Sequence, residues 1–458
     1  MYLDDTIVAP ATAPGRGAVA IVRLSGPRAI EIARAIWRPV RPDLKIVSRR
    51  LYLGEIRDPD SGTVLDRAIY VQMPAPRSLT GEDVAELHCH GGVYLVRRVV
   101  AIAAAAGARM AEPGEFSRRA FLNGRLDLTE VEAIADLVNA RGESALRQAI
   151  AHLGGALSER VEAIRARVIA IRAHLEAEID FADEDIALPS RARIAADIDD
   201  LRRDIGLLHD SFARGRVARD GARVAIIGKP NAGKSSILNL LIGGDRAIVT
   251  PTPGTTRDVI EETVLLGPYP AVLQDTAGVR ESLDEVERIG IARTRRHAAE
   301  ADLLLAVFDS SRALESEDSA VIAITSDRLG VALLNKRDLP IRCGPGDLAR
   351  AVLQLPVLEF SAVTGMGAHE LRNLLAAQIE RLASAPDEVA ISRERHRDAL
   401  ARALEALAAT KEDTAAGMPP EIVALNVTSA AEALASITGR ISSEDVLDAV
   451  FREFCIGK

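Results

Sequence analysis

The stretch "GKPNAGKS" at residues 228–235 combines small residues, a lysine and a hydroxyl at fixed spacing. It matches the pattern G-x-x-x-x-G-K-[ST] and follows directly on the strand-like run "ARVAIIG". In such a loop, backbone N–H groups wrap phosphates at a helix N-terminus, the lysine reaches the β- and γ-phosphates, and the hydroxyl binds Mg²⁺. We therefore predict a Mg²⁺ ligand at Ser235. The predicted phosphate contacts are Asn231, Ala232, Gly233, Lys234, Ser235 and Ser236.

The stretch "NKRD" at residues 335–338 ends the apolar run "GVALL" and carries a carboxylate with a different task. Asp338 can accept both N–H groups on the N1–N2 edge of guanine, an edge that adenine does not offer. "SAV" at 361–363 can present the Ala362 N–H to the base carbonyl. By itself "NKRD" also fits a charged strand end, but behind the phosphate loop the set predicts GTP and GDP as ligands. The predicted base contacts are Asn335, Lys336, Asp338, Ser361, Ala362 and Val363.

Two loops between these stretches complete a predicted GTPase site. "VTPTPGTTRD" at 249–258 lies where a switch loop belongs, and Thr256 is the candidate second hydroxyl on Mg²⁺. "DTAG" at 275–278 is typical of the loop on the metal side of the nucleotide. The predicted contacts here are Thr250, Pro251, Thr252, Pro253, Gly254, Thr255, Thr256, Asp275, Thr276, Ala277 and Gly278.

The position directly after "DTAG" is where GTPases usually carry the glutamine that orients the attacking water. Here it is Val279, whose side chain neither donates nor accepts a hydrogen bond. Hydrolysis of GTP by this chain therefore requires another group in that role.

The elements that must position these loops alternate between strand and helix. Buried apolar runs separated by helical segments predict a parallel, doubly wound sheet. Before that sheet, apolar residues from Leu146 to Ile179 recur at steps of three and four, interrupted at Gly154-Gly155, which predicts helix. The tail is helical again, and Ser443 is placed to cap the last helix. The predicted domains are residues 1–122 (mixed α+β), 123–215 (helical, first part), 216–382 (the α/β nucleotide-binding domain) and 383–458 (helical, second part).

Composition limits the remaining function classes. Of 458 residues, 48% are hydrophobic, which suffices for several cores, yet no run of 18 apolar residues predicts a membrane span. Three cysteines are too few for a disulfide framework, and "MYLDDTIVAP" lacks the basic segment of a signal peptide, so we expect a cytoplasmic protein. The net charge is −9 and only 3% of residues are aromatic. Any RNA contact must therefore use a local basic surface or an assembled partner.

With these motifs in place, the whole chain resembles the MnmE (TrmE) family of tRNA-modification GTPases. The most specific matching stretches are "DTIVAPATAPGRGAVAIVRLSG" near the start, "PGEFSRRAFLNGRLDL" at 113–128, "DEVERIGI" at 284–291 and the final "FCIGK". The resemblance implies an N-terminal folate-binding domain that dimerises, a helical domain made of two separated segments, and a Ras-like GTPase domain inserted between them.

The resemblance also implies an activity and a partner. Members of the family work with the FAD-dependent protein MnmG, as a heterotetramer, on the wobble uridine of certain tRNAs. They add an aminomethyl or carboxymethylaminomethyl group to C5 of that uridine. The one-carbon unit comes from 5,10-methylene- or 5-formyl-tetrahydrofolate, while the FAD belongs to the partner and not to this chain.

A folate site at Arg23, Glu86, Arg125 and Lys458 follows from the same resemblance. These residue types suit the ligand, because a carboxylate accepts the N–H donors of a pteridine ring and arginines suit carboxylates and ring carbonyls. Arg125 stands where relatives carry lysine, which keeps the charge. Taken alone, each of these residues also fits a solvated charge at a strand end or in a loop.

Two cysteine-containing runs admit more than one interpretation. Cys455 in "FCIGK" is either a thiol that handles the one-carbon unit or a small buried residue. The run "HCH" at 88–90 suggests a metal site. On a strand, however, His88 and His90 face one way and Cys89 the other, so three ligands would not converge.

For the missing glutamine, the resemblance implies a potassium ion bound by Asn231, Thr250, Thr252 and Thr255, where an arginine finger would otherwise bring charge. It also implies that a second GTPase domain across a homodimer orders the loop. Orientation of the water then falls to Glu287 in "DEVERIG", which taken alone is a solvated helix glutamate. We therefore expect a GTPase that depends on K⁺ and on dimerisation.

Two alternatives stay open from the sequence. A ribosome-assembly GTPase should carry a KH-type GXXG loop or a strongly basic appendage, and the alanine-rich acidic helices here offer neither. A non-enzymatic nucleotide switch, whose helices recruit a partner, would hydrolyse GTP slowly without modifying tRNA.

Overall fold

The computed structural model describes residues 4–180, 190–244, 261–275, 296–352, 354–383, 389–452, 454 and 456–458. The predicted site residues at positions 250–256, 276–278, 287 and 455 lie outside these described residues, and so does Val279. The chain divides into two compact units, Met1–Ala135 with Leu434–Lys458, and Asp136–Ala433. The boundaries of the four predicted domains stay a prediction.

The strands and helices follow the sequence signals closely. The strands are β1 Ile7–Pro10, β2 Gly17–Ser25, β3 Trp37–Pro39, β4 Tyr52–Arg57, β5 Val64–Met73, β6 Val84–Gly91, β7 Arg109–Met110, β8 Ala222–Gly228, β9 Glu261–Leu266, β10 Tyr269–Asp275, β11 Leu303–Asp309, β12 Gly330–Asn335 and β13 Val357–Glu359. The helices are α1 Ala29–Ile36, α2 Val93–Ala105, α3 Glu115–Leu122, α4 Leu128–Asn139, α5 Glu143–Leu153, α6 Ala156–Asp180, α7 Arg191–Asp210, α8 Phe212–Asp220, α9 Lys234–Gly244, α10 Ser316–Thr325, α11 Pro345–Ala351, α12 Ala368–Ala383, α13 Glu394–Ala415, α14 Pro420–Thr438 and α15 Glu444–Phe451.

A seven-stranded sheet organises the first unit, with the strand order β3-β4-β5-β6-β2-β1-β7. Neighbouring strands are antiparallel except for β1 and β7, which are parallel. α1 and α2 cover one face, where residues such as Val22 and Leu87 form the core. Because side chains alternate along a strand, Arg23 and Glu86 point to the other face. The predicted mixed α+β character of this region is confirmed.

A buried arginine fastens α3 to the start of β1. Arg119 is fully buried and donates to Asp5 Oδ1 at 2.5 Å and to Glu115 Oε1 at 2.9 Å. Burial would raise the pKa of Glu115, but hydrogen bonds from Arg109 and Arg119 hold that pKa below its ordinary value. Removing one partner would strand a buried charge, which costs about 3–5 kcal/mol. The network therefore fixes α3 relative to the sheet.

The last helix packs within the same unit. α15 begins after Ser443, whose hydroxyl accepts the N–H of Val446 at 3.4 Å, so the predicted cap is confirmed. On the buried face of α15, Phe451 packs in one cluster with Leu128 of α4.

In the second unit, helices that come before and after the inserted sheet in the sequence pack together. α7 precedes the sheet and lies against α13, which follows it. Lys411 of α13 donates to Asp199 of α7 at 2.6 Å. The predicted discontinuous helical domain is thereby confirmed, and the predicted interruption at Gly154-Gly155 falls between α5 and α6.

The second unit also contains a six-stranded sheet with the order β13-β12-β11-β8-β10-β9. Five strands are parallel, as predicted, but β9 runs antiparallel to β10 at one edge. These two strands are joined by a two-residue turn, whereas parallel neighbours require a long crossover. α9 and α12 contribute to the core on one face and α11 to the core on the other, which confirms the doubly wound arrangement.

This topology determines where a ligand can bind. β8 lies between β10 and β11. The strands that follow it directly in the sequence lie on one side of it, and the later strands lie on the other side. In open α/β sheets, ligands occupy the crevice outside the carboxyl ends of the strands at such a switch point. The carboxyl ends of β8, β11 and β12 bring Gly228, Asp309 and Asn335 to that edge. Within the described ranges, no helix combines the length and apolar character needed to cross a membrane.

Candidate functional site

The predicted phosphate loop begins where β8 ends at Gly228 and closes at Lys234, the first residue of α9. Glycine is required at Gly233, because φ is +102° and a Cβ would collide with the amide of Asn335. The Lys234 ammonium donates to the carbonyls of Gly228 at 2.9 Å and Lys229 at 2.8 Å, which holds it against the loop. A positive group and backbone N–H groups at a helix N-terminus suit a phosphate.

The side chain of Asn335 joins this loop to the predicted base loop. Asn335 ends β12 and is only 2% exposed. Its Nδ2 donates to the carbonyl of Ala232 at 2.8 Å, and its Oδ1 accepts the N–H of Ala362 at 3.0 Å. The N–H that the sequence assigned to the base carbonyl therefore has a protein partner. One amide holds the phosphate loop and the "SAV" loop in a fixed relation.

Lys336 and Asp338 are positioned by neighbouring side chains. Lys336 has φ +64°, and its Nζ donates to Asp309 Oδ2 at 2.7 Å. Burial would raise the pKa of Asp309, but Lys336 and Ser311 hold it below its ordinary value. Asp338 is exposed, and its Oδ1 accepts the Ser361 hydroxyl at 2.6 Å. Since a carboxylate has about four acceptor sites, Asp338 keeps capacity for the N–H groups of a base.

Lys229 ties the phosphate loop to the acidic start of α10. Its Nζ lies 2.8 Å from Asp318 and 3.0 Å from Glu315. Burial would lower the pKa of Lys229, but these two carboxylates raise it overall. Because the carbonyl of Lys229 accepts from Lys234, α10 helps to fix the loop that carries the lysine.

The structure thus brings the described nucleotide candidates to one edge of the sheet. Asn231 to Ser236 form the loop and first turn after β8, Asn335 to Asp338 follow β12, and Ser361 to Val363 follow β13. Of the predicted potassium ligands, only Asn231 is described, and it is exposed with φ +61°. Asp275 ends β10, while the rest of "DTAG", the switch loop and Glu287 lie outside the described residues.

A second polar cluster lies in the first unit. Arg23 of β2 is directly opposite Glu86 of β6, and its Nε donates to Glu86 Oε1 at 2.8 Å. His88 Nε2 lies 3.1 Å from the other carboxylate oxygen. Burial would raise the pKa of Glu86, but His88 and Arg23 hold it below its ordinary value. Glu86 is therefore an ionised acceptor with a lone pair left on each oxygen.

The end of the chain approaches this cluster. The Phe116 ring lies beneath Arg23, with 5.7 Å between the guanidinium carbon and the ring centroid. The N–H of Phe116 donates to the carbonyl of Lys458 at 3.2 Å. Gly457 has φ +99° and lies so close to Pro10 that no Cβ fits. Three of the four predicted folate residues therefore share one neighbourhood.

Arg125, the fourth, lies beside the loop that leads into β6. A Cβ at Gly81 would be 3.2 Å from the Arg125 side chain. Its backbone N–H donates to the carbonyl of Ala120 at 2.8 Å, which closes the turn after α3. The contacts that the structure gives Arg125 are with these segments rather than with Arg23 or Glu86.

The side chains of the "HCH" run lie on the two faces of β6, as strand alternation predicts. His90 Nδ1 lies 2.8 Å from Asp66, whereas Cys89 is on the buried face, where burial raises the pKa of its thiol to about 11. The three side chains do not converge. Among the residues that the structure describes, no group of histidine, cysteine, aspartate and glutamate side chains could hold a metal ion.

Two of these partner residues carry a weak signal in the sequence, and a third carries none. Asp309 ends a buried strand before two serines, a pattern that favours a local hydrogen-bonded turn. His88 stands two residues after Glu86, so strand alternation places both on one face. Phe116 has no signal of this kind, because its contact with Arg23 depends on how α3 packs.

Comparison with known proteins covers the chain from end to end. A family model described as "MnmE helical domain" matches residues 128–455, and one described as "GTP-binding protein TrmE N-terminus" matches residues 6–125. The chain is 43% identical to the tRNA modification GTPase MnmE of Heliobacterium modesticaldum and 44% identical to that of Chloroflexus aurantiacus. Both alignments cover 100% of this chain and 100% of the relative.

The geometry at Asp338 predicts a specific change in base preference. An Asp338→Asn protein should bind GDP about 100-fold more weakly, because an amide cannot accept from both N–H groups of guanine. It should gain affinity for xanthosine diphosphate, whose C2 carbonyl accepts from the new amide. Fluorescent-nucleotide titration measures both affinities. Asp327→Asn, at an exposed carboxylate elsewhere in the unit, is the matched control, and an equal loss there would contradict the assignment.

Proposed function

Because the chain belongs to the MnmE family of tRNA modification GTPases, we propose that it hydrolyses GTP in order to modify C5 of the wobble uridine in certain tRNAs. The observation that carries this proposal is the pair of loops joined by Asn335, which offers one site to the phosphates and the base of a nucleotide. The relatives, which match in full length and are named for tRNA modification, support the RNA substrate.

The residues assigned to the nucleotide site have distinct roles. Lys234 exchanges the loop carbonyls for the β- and γ-phosphates, and the Ser235 hydroxyl binds Mg²⁺ together with Thr256. Asp338 accepts the two N–H groups of guanine, while Lys336 stays anchored by Asp309. Bound Mg²⁺ supplies charge that neutralises the phosphate oxygens.

Hydrolysis requires a substitute for the glutamine that Val279 replaces. We assign orientation of the water to Glu287. Bound K⁺ would offset charge on the transferring phosphoryl group, with Asn231, Thr250, Thr252 and Thr255 as its oxygen ligands. The exposure of Asn231 at the mouth of the phosphate loop supports this assignment, because its amide oxygen is a suitable donor for a hard cation. A homodimer would bring a second GTPase domain to this side.

The chemistry on the uridine draws on further components. A tetrahydrofolate bound at Arg23, Glu86, Arg125 and Lys458 supplies the one-carbon unit, and a FAD-dependent partner of the MnmG type completes a heterotetramer. The ionised Glu86 fits this ligand, since it presents acceptors that Arg23 and His88 already orient. Cys455 is the candidate thiol for handling the one-carbon unit. The cytoplasm is where these components meet tRNA.

The decisive experiment is genetic. In a strain that lacks the gene, mass spectrometry of total tRNA should show an unmodified wobble uridine, and the wild-type gene should restore the modification. Glu287→Ala should bind GTP normally, hydrolyse it at least tenfold more slowly, and fail to restore the modification. Glu300→Ala, at an exposed glutamate of the same unit, is the control and should restore it fully.

Purified protein gives the complementary readout. GTP turnover should fall sharply when Na⁺ replaces K⁺, because the smaller ion fits the proposed oxygen ligands poorly. A rate indifferent to the cation, or undiminished in Glu287→Ala, would contradict the assigned hydrolytic groups. Normal wobble uridines in the deletion strain would contradict the function itself, and would favour a ribosome-assembly factor or a nucleotide switch.

The folate site has its own test. Glu86→Gln should weaken binding of 5-formyl-tetrahydrofolate at least tenfold, because a neutral amide replaces an ionised acceptor that Arg23 and His88 hold in place. Isothermal titration calorimetry of the intact protein measures the change, and GDP affinity should stay at the wild-type value. Glu55→Gln, on strand β4 of the same sheet, is the control. Full binding after Arg23, Glu86 and Arg125 are all replaced by alanine would refute the site.

A further inference from the structure

A strongly basic edge borders the seven-stranded sheet of the first unit. It consists of Arg38, Arg41, Lys45, Arg49, Arg50 and Arg77. Between residues 38 and 50, five basic residues face a single acidic residue, Asp43. The whole chain carries a net charge of −9, so this segment opposes the overall balance. Localised positive charge on an acidic protein is what recognition of a polyanion requires.

The charges of this basic edge are not neutralised by neighbours. All six side chains belong to exposed residues, and none of them forms an ion pair with the residues that the structure describes. Glu55 lies opposite Arg38 across the β3–β4 pair, but it pairs with Arg57 at 2.6 Å.

The exposed helices of the second unit differ in this respect. Several of their arginines pair with acidic side chains three or four residues away. Examples are Arg172 with Glu176 at 2.7 Å, Arg193 with Asp197 at 3.2 Å and Arg203 with Asp200 at 2.9 Å. These helix arginines therefore have acidic partners, while the six basic residues of the edge have none within the described part of the chain.

The segment that carries the basic edge is held in place by the sheet. Val40 N–H donates to the carbonyl of Leu53 at 3.3 Å, and Val47 N–H donates to the hydroxyl of Tyr52 at 2.9 Å. Arg49 has φ +60°, a conformation that its surroundings must enforce. Its N–H donates to the carbonyl of Gln72 at 2.9 Å, and its guanidinium donates to the carbonyl of Arg77. The backbone that carries these charges is thus held against the sheet, unlike that of a flexible basic tail.

Apolar side chains lie among the charges. Val47, Leu51 and Leu53 are 46%, 61% and 53% exposed. Guanidinium groups bind phosphates in bidentate fashion, and exposed apolar groups contact ribose and base faces. An array dominated by arginine and interleaved with apolar side chains fits RNA better than it fits a purely acidic peptide.

We propose that this basic edge binds the sugar–phosphate backbone of the tRNA substrate. The proposal rests on the proposed function, and it names the surface by which an acidic protein makes direct contact with RNA. Since the contacts are to phosphates, they contribute affinity and orientation rather than sequence preference.

The test compares two triple variants of the full-length protein. Arg38→Gln/Arg41→Gln/Lys45→Gln removes three charges from the basic edge, and Arg172→Gln/Arg193→Gln/Arg203→Gln removes three from balanced helices. Both change the net charge by the same amount. Filter binding of tRNA at several salt concentrations gives the slope of log K against log salt. That slope is negative, and each lost phosphate contact should reduce its magnitude by about 0.7–0.9. We therefore expect the magnitude to fall by about 2 to 3 for the edge variant and to stay unchanged for the control.

The outcomes separate this proposal from the proposed function. GTPase activity should stay at the wild-type rate in both variants. Equal tRNA affinity and slope in the two variants would overturn the proposal. Loss of tRNA modification with unchanged tRNA affinity would overturn it too, because the edge would then serve a protein partner. If the wild-type gene fails to restore the wobble modification in the deletion strain, the proposed function falls independently of the edge.

Discussion

The nucleotide site depends on one buried amide. Asn335 ends the parallel strand β12. Its side chain makes one hydrogen bond to the phosphate loop at Ala232 and one to the base loop at Ala362. Without that amide, a buried carbonyl and a partly buried N–H would lose their partners, at a cost of about 1–3 kcal/mol for the buried group. The two loops that we assign to opposite ends of a nucleotide are thereby set at a distance that the protein itself defines.

Around this link, the topology of the sheet distributes charge. The carboxyl ends of the strands gather Asp309, Asn335 and the phosphate loop at a switch point, where a buried parallel sheet leaves a crevice. Positive groups there are held by neighbours, Lys229 by the acidic start of α10 and Lys336 by Asp309. The ammonium groups of Lys229 and Lys336 are thus held in fixed positions, which limits the reorganisation that nucleotide binding requires.

The first unit also holds a charged group in place through its neighbours. Arg23 and His88 each occupy one oxygen of Glu86 and keep it ionised, and Arg119 fixes the helix whose Phe116 supports Arg23. A carboxylate acceptor held in a fixed orientation, as Glu86 is, suits a ligand with several N–H donors. The basic edge lies on the same sheet, at the strands farther from β1.

Local signals in the sequence predicted a large part of this structure. The phosphate loop, the "NKRD" strand end and the cap at Ser443 depend on a few consecutive residues, so the pattern alone places them. The two bonds of Asn335 and the contact of Phe116 with Arg23 join segments far apart in the chain, and no local pattern encodes them. The antiparallel β9 escaped prediction because its direction follows from a two-residue turn that the strand runs do not reveal.

Asn335 joins the phosphate loop and the base loop into one site, so nucleotide affinity should depend on its side chain. In an Asn335→Ala protein, affinity for GDP should fall at least tenfold, since both the phosphate loop and the base loop lose their common anchor. Asn373→Ala, at an exposed asparagine of α12, should leave that affinity unchanged. Wild-type GDP affinity in a folded Asn335→Ala protein would show that the two loops keep their positions without the Asn335 amide.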